Sequence, residues 1–165
     1  MKGQDILVML KLLGQRDWTY AGIAQELGLS PSQVHTAIKR CEAAGLFNPH
    51  SRFPNREALR EFLVHGVRYV FPARPGEIVQ GLPTSFAAPP LKDKFRYDER
   101  EAPVMPLAFG PARGPEIPPL CRSAPQAALA DSQLHELLAL VDALRSGRAR
   151  ERKLAERALT EMLAP

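Results

Sequence analysis

Twelve of the sixteen prolines in this chain fall between Pro72 and Pro125. No helix runs far through such a stretch, because each proline lacks an N–H and its ring clashes with the preceding turn. Regular helices are therefore confined to the two flanks. At 165 residues the chain is long enough for one ordinary domain with appendages. It reads as mostly α: a helical N-terminal region over residues 1–80, a Pro-rich extended segment over 81–130, and amphipathic helices over 131–165. Between Leu82 and Pro125 there are few periodic apolar residues and no repeats, which predicts extended coil draped over other parts or partly mobile.

Charge separates the same regions. Met1 to Arg74 carries ten basic residues against six acidic ones, whereas the remaining two segments are balanced. The whole net charge of +4 thus sits in the first segment, which suits a polyanionic partner; a solvated basic surface is the plainer reading. Cys41 and Cys121 are too few for a disulfide framework, and no histidine stands at ligand spacing from them, so no metal site is expected. A reducing cytoplasm is the default compartment. The apolar run near the N-terminus is interrupted by Asp5 and Lys11 and reads as a helix rather than a signal peptide or a membrane span.

Periodicity and punctuation place four helices in the first 65 residues. They run over about Gln4 to Leu13, Tyr20 to Leu27, Pro31 to Ala44 and Arg56 to His65, most with a capping residue in front and a glycine behind. After Gly66, VRYVF, PARPG and EIVQG predict a small β-hairpin over 67–80, since β-branched and aromatic residues flank a turn signal. In the C-terminal region Leu134, Leu137, Leu138, Val141 and Leu144 form one stripe. Leu154, Ala158, Leu159 and Met162 form a second. These two helices need a surface to pack on, either the N-terminal region or a second copy of the chain.

The corner between the second and third helices carries the functional signal. Gly28 turns the chain most easily with positive φ. Ser30, Pro31 and Gln33 then restart a helix by three devices: a hydroxyl cap, a proline at the first position and a capping-box partner. With Val34, Ala37, Ile38 and Cys41 turned inward, Ser32, Thr36, Lys39 and Ala43 face the other way, flanked by Gln33, His35 and Arg40. That polar, basic face fits a B-DNA major groove about 12 Å wide. Gln33 has the groups for a bidentate bond to adenine, while Ser30 and Ser32 with the free amides of the helix N-terminus suit a backbone phosphate.

Thr19 to Leu46, TYAGIAQELGLSPSQVHTAIKRCEAAGL, resembles the helix-turn-helix of bacterial transcription regulators, and AGL after the third helix looks like winged-helix proteins, with the multiple-antibiotic-resistance regulator (MarR) type the nearest general likeness. The resemblance covers roughly Ile6 to Leu46. It implies a winged helix-turn-helix DNA-binding domain over 1–80, with the helix 31–44 as recognition helix. One departure stands out: FNPHSRFP leads into another helix where many such proteins place a β-hairpin. The wing is therefore expected at 67–80, if present at all, with Arg68 and Arg74 near phosphates.

No nucleophile elbow, phosphate loop, dinucleotide fingerprint or metalloprotease motif is present, so neither an enzyme nor a cofactor is expected. The leading expectation is a sequence-specific regulator of double-stranded DNA, a homodimeric repressor with the C-terminal helices as its dimer element. The competing one is an antitoxin-type or adaptor protein that inhibits a protein partner through the Pro-rich segment or the C-terminal helices.

Overall fold

The computed structural model describes all 165 residues, Met1 to Pro165. Eight α-helices dominate: α1 (Gly3–Leu12), α2 (Tyr20–Leu27), α3 (Pro31–Ala43), α4 (Arg56–His65), α5 (Val67–Val70), α6 (Ala124–Ala130), α7 (Ser132–Ser146) and α8 (Ala149–Leu163). A two-stranded hairpin, β1 (Phe47–Asn48) with β2 (Phe53–Pro54), follows α3. A three-stranded antiparallel sheet, ordered β4-β3-β5, is built from β3 (Ile78–Pro83), β4 (Val104–Pro106) and β5 (Ala112–Pro115).

Local chemistry starts the N-terminal helices where the sequence predicts. The Thr19 and Asn55 side chains accept from Gly22 N and Ala58 N. Ser30 Oγ accepts from Gln33 N at 3.1 Å while Gln33 Oε1 accepts from Ser30 N at 2.8 Å, the reciprocal box. Each such cap is worth about 1 kcal/mol. Gly28 ends α2 with φ 66°, so an L side chain there would be strained.

The expected hairpin over 67–80 is absent. Val67–Val70 is helical and continues from α4, with Val67 fully buried, and β3 pairs with β4 and β5 instead. The β-propensity of VRYVF is overridden by continuation of the α4 turn, which buries Val67 while Tyr69 and Val70 stay exposed. The wing-like hairpin lies where the sequence reading saw none, in FNPHSRFP itself. Phe47 stands opposite Pro54 and Asn48 opposite Phe53, and the turn is closed by Asn48 Oδ1 accepting from His50 N and Ser51 N.

The Pro-rich middle is also more regular than extended coil. Its strands are short, and Pro83, Pro106 and Pro115 stand at strand ends, where a missing N–H costs least. The reading of 81–130 as one extended segment is corrected twice: β3 crosses its first boundary, and α6 begins at Ala124 with Pro125 in its first turn.

One apolar core of 36 buried residues runs from Ile6 to Leu163 and draws on the helical flanks and on the middle, through Leu82, Leu91 and Met105. Its axis is α7. Rather than showing one apolar stripe, α7 buries nine successive positions, from Leu137 to Arg145, together with Leu134. Its two charged residues there satisfy each other and the strap around them. Arg145 donates to Asp142 at 2.9 Å, to the Phe71 carbonyl at 2.8 Å and to the Pro118 carbonyl at 2.9 Å. Thr84 Oγ1 donates to the second Asp142 oxygen at 2.6 Å. Such a network ties the segment between α5 and α6 to the core, because any member left alone would be a buried unpaired polar group. The apolar faces of α7 and α8 are thus covered inside the one chain, and α8 packs against α7 and α4.

Candidate nucleic-acid interface

Helix α3 sits on α1 and α2 through Val34, Ala37, Ile38 and Cys41, all 3% exposed or less. Cys41 is a core residue: burial first, and then the nearby Asp5 carboxylate, push its thiol up to about 12, so no thiolate forms at neutral pH.

The opposite face gathers six of the nine candidate residues. Ser30, Ser32, Gln33, His35, Thr36 and Lys39 are all exposed on the first three turns of α3 or its cap. Their hydrogen bonds define what each has left to offer. Gln33 spends Oε1 on its cap and keeps its amide donors free. Thr36 donates its hydroxyl proton to Ser32 O at 2.9 Å, leaving its methyl group and oxygen lone pairs outward. Lys39 pairs with Glu42 at 3.0 Å, an exposed i,i+3 contact that a phosphate can displace at little cost. The His35 ring lies 5.4 Å from that of Tyr20.

Arg40 does not belong to this face. Its guanidinium forks onto the fully buried Asp5 carboxylate at 2.8 and 2.6 Å, fixing α3 to α1. That hydrogen-bonded pairing, which outweighs partial desolvation, holds its pKa above the ordinary value. Both forked donors are committed, so Arg40 is a positioning residue for α3. Arg68 and Arg74 do not flank α3 on a wing: Arg68 lies over the Tyr69 ring on α5, which packs on α4 and α7, and Arg74 is exposed in the loop before β3.

Other cations gather at the β1–β2 hairpin. Arg52, at the turn of the β1–β2 hairpin with φ 54°, covers the Trp18 ring at 4.4 Å, and Trp18 Nε1 donates to the Arg52 carbonyl at 2.9 Å. Arg16 and Arg56 both stack on Phe53, at 4.5 and 5.2 Å. Stacking leaves guanidinium edges free to donate while restraining the side chain. None of the three forms an ion pair within the chain. Sequence reasoning missed them; the signal was the interleaving of arginine with Trp18 and Phe53, visible once FNPHSRFP is read as a hairpin.

Beneath the corner, Lys11 donates to Asp131 at 2.6 Å and pairs with Glu26 at 2.7 Å, linking α1, α2 and the N-cap of α7. Burial opposes the charges, yet these bonds hold Lys11 above its ordinary pKa and Asp131 below it; the Lys11 bond likewise lowers Glu26.

Residues 17–47 match the family model described as winged helix-turn-helix DNA-binding. The matched stretch runs from the residue before Trp18 through the corner and α3 into β1, and it supports a DNA-binding transcription regulator as the class of this protein. No curated protein and no solved structure matches the chain. No helix is long and apolar enough to cross a membrane.

Proposed function

We propose that this chain is a cytoplasmic transcription regulator that reads a double-stranded operator with the exposed face of α3 in the major groove. Gln33, Thr36 and Lys39 meet base edges and phosphates there; Ser30, Ser32 and His35 hold the entry to the groove. The β1–β2 hairpin acts as the wing, with Arg16, Arg52 and Arg56 on the flanking phosphates in place of Arg68 and Arg74. The observation that carries this reading is the division within α3 itself. One face is locked into the core by four apolar residues and the Arg40–Asp5 fork, and the other presents six uncommitted or weakly committed polar residues beside three stacked arginines.

A single recognition helix specifies few base pairs, so a repressor of the MarR general type would act as a homodimer on half-sites about 34 to 36 Å apart. Because α7 and α8 bury their apolar faces internally, the dimer contact in this reading lies on another surface. Fluorescence anisotropy against the DNA upstream of the protein's own gene and a scrambled duplex, across a salt series, tests the proposal. Preferential binding that weakens steeply with salt, through counterion release, is expected; equal or absent binding to both duplexes overturns it.

One observation favours a protein-binding role beside or instead of DNA. Phe109, 98% exposed with φ 64°, stands at the turn between β4 and β5, a large apolar ring that the chain leaves in water. An adaptor of the antitoxin type would keep its partner when Thr36 and Lys39 are replaced, and lose it with Phe109→Ala.

A further inference from the structure

A cavity of about 300 Å³ opens between the turn at Ser85, the loop from Phe95 to Pro103 and the junction of α7 with α8. That volume is at the lower end of the range for small-molecule sites. Three aromatic rings wall it: Phe86 stands 6.0 Å from Phe95 and 5.2 Å from Tyr97, and the outer guanidinium of Arg150 backs Phe95 at 5.6 Å. The rings are tilted to one another by 57° and 65°, and an aromatic face reached from the cavity accepts a heteroaromatic base by stacking.

The opposite wall favours an anion. The fifteen-residue helix α8 begins here, its N-cap is Arg148, and no side chain caps its first-turn N–H groups. An arginine has donors alone to offer at that position, so the positive end of the helix is met only in part, by Glu151 in the first turn. Arg96 and Arg148 line the same cavity, both exposed and neither in an ion pair. Acidic groups are present too: Glu151 accepts from Arg148 N, and Glu101 lines the rim without a cationic partner.

Ser85 supplies the independent sign of a ligand. It is 2% exposed and lines the cavity, and its hydroxyl has no hydrogen-bond partner in the chain. No fully buried side-chain polar atom goes unpartnered anywhere in the molecule, so the small open area of this hydroxyl faces the cavity. That opening leaves its donor and acceptor free for a group that enters the cavity.

We propose that this cavity binds a nucleoside monophosphate. The base stacks among Phe86, Phe95 and Tyr97, the phosphate sits at the N-terminus of α8 between Arg96 and Arg148, and Glu101 and Ser85 take the hydroxyl and amino groups between them. A dianionic phosphate matches two free guanidinia and a helix terminus better than a single carboxylate does, and the carboxylate at the rim matches the donors of a sugar.

Isothermal titration of the full chain with AMP, GMP, CMP and UMP tests this. Saturable binding of at least one of them, one per chain, is expected, with the matching nucleoside and inorganic phosphate each weaker. Tyr97→Ala lies on an exposed loop and Arg148→Gln at a helix start. Each should weaken binding by about tenfold or more, with an unchanged circular dichroism spectrum, while Tyr97→Phe keeps it. The proposal is overturned if none of the four nucleotides binds at up to about 1 mM, if inorganic phosphate binds as well as the nucleotide, or if neither variant changes the affinity.

Discussion

Helices α3 and α7 have similar lengths, thirteen and fifteen residues, and both carry charge near their C-terminal ends. Their surroundings are opposite. α3 hides four positions and shows the rest to solvent, so its arginine has to choose between the exposed face and the core, and the buried Asp5 draws it in. α7 is enclosed on nearly all sides, so its Asp142 and Arg145 have no water to fall back on and are bonded to each other, to Thr84 and to two backbone carbonyls. A residue type therefore says little about its task until the neighbours are known. An arginine on either helix serves the fold, whereas the exposed face of α3, apart from the Ser30–Gln33 cap and the Thr36 bond to Ser32, consists of residues that the core does not use.

The sharpest way to break that contrast is Arg145→Leu. It should cost about 3–5 kcal/mol in urea unfolding, because Asp142 is left buried without its cation. Trp18 fluorescence and helical circular dichroism should still report coincident transitions, since one core spans both flanks; separate transitions would mean that the two regions fold as independent units. Next in size, Arg40→Ala should lower stability by about 2–3 kcal/mol through the stranded Asp5 carboxylate. Its operator affinity, measured under conditions where the variant is folded, should match that of the parent. An affinity loss without a stability loss would return Arg40 to the exposed face.

Thr36→Ala should do the reverse, reducing operator affinity by about 1–3 kcal/mol with little change in the unfolding midpoint. Arg52→Ala should lower the slope of log affinity against log salt by about one, with similar loss on all sequences, if the wing holds a phosphate. The smallest effect concerns pH. Asp131 and Glu26 have carboxyls held below their ordinary values of 3.8 and 4.5. Their contribution is therefore present above those values and lost as pH falls through the lower folded ones. Lys11, raised above 10.5, gives a contribution present below that pH and lost only at higher pH. Lys11→Met should flatten both limbs of stability against pH; unchanged limbs would show that the Lys11 clamp is not what titrates.

The parts of this molecule that were legible in the sequence are those decided within four residues. Thr19, Ser30 with Gln33, Asn55 and Gly28 fix helix ends by bonds to their own neighbours, and the inward phase of Val34, Ala37, Ile38 and Cys41 follows from helical spacing alone. What stayed hidden depends on partners far along the chain. Asp5 meets Arg40 across 35 positions, and β3 finds β4 and β5 through strands of three or four residues, too short to show alternation. The segment VRYVF has the composition of a strand and the surroundings of a helix. FNPHSRFP is a hairpin whose strands are two residues each, held by Asn48 and by aromatic packing rather than by any periodic pattern. The enclosure of α7 was masked by its own stripe of leucines, since Ala139 and Ala143 on the other side are small enough to be covered closely and still look neutral in a periodicity count.

Trp18 is the single tryptophan of the chain. It is 5% exposed, bonded through Nε1 to the wing turn and roofed by the Arg52 guanidinium. A cation resting on an indole alters its emission, and withdrawing that cation toward a phosphate restores it. The chain thus carries its own optical probe at the place where the wing would meet DNA, and docking can be followed at native sequence, in real time, without attaching a dye to either partner.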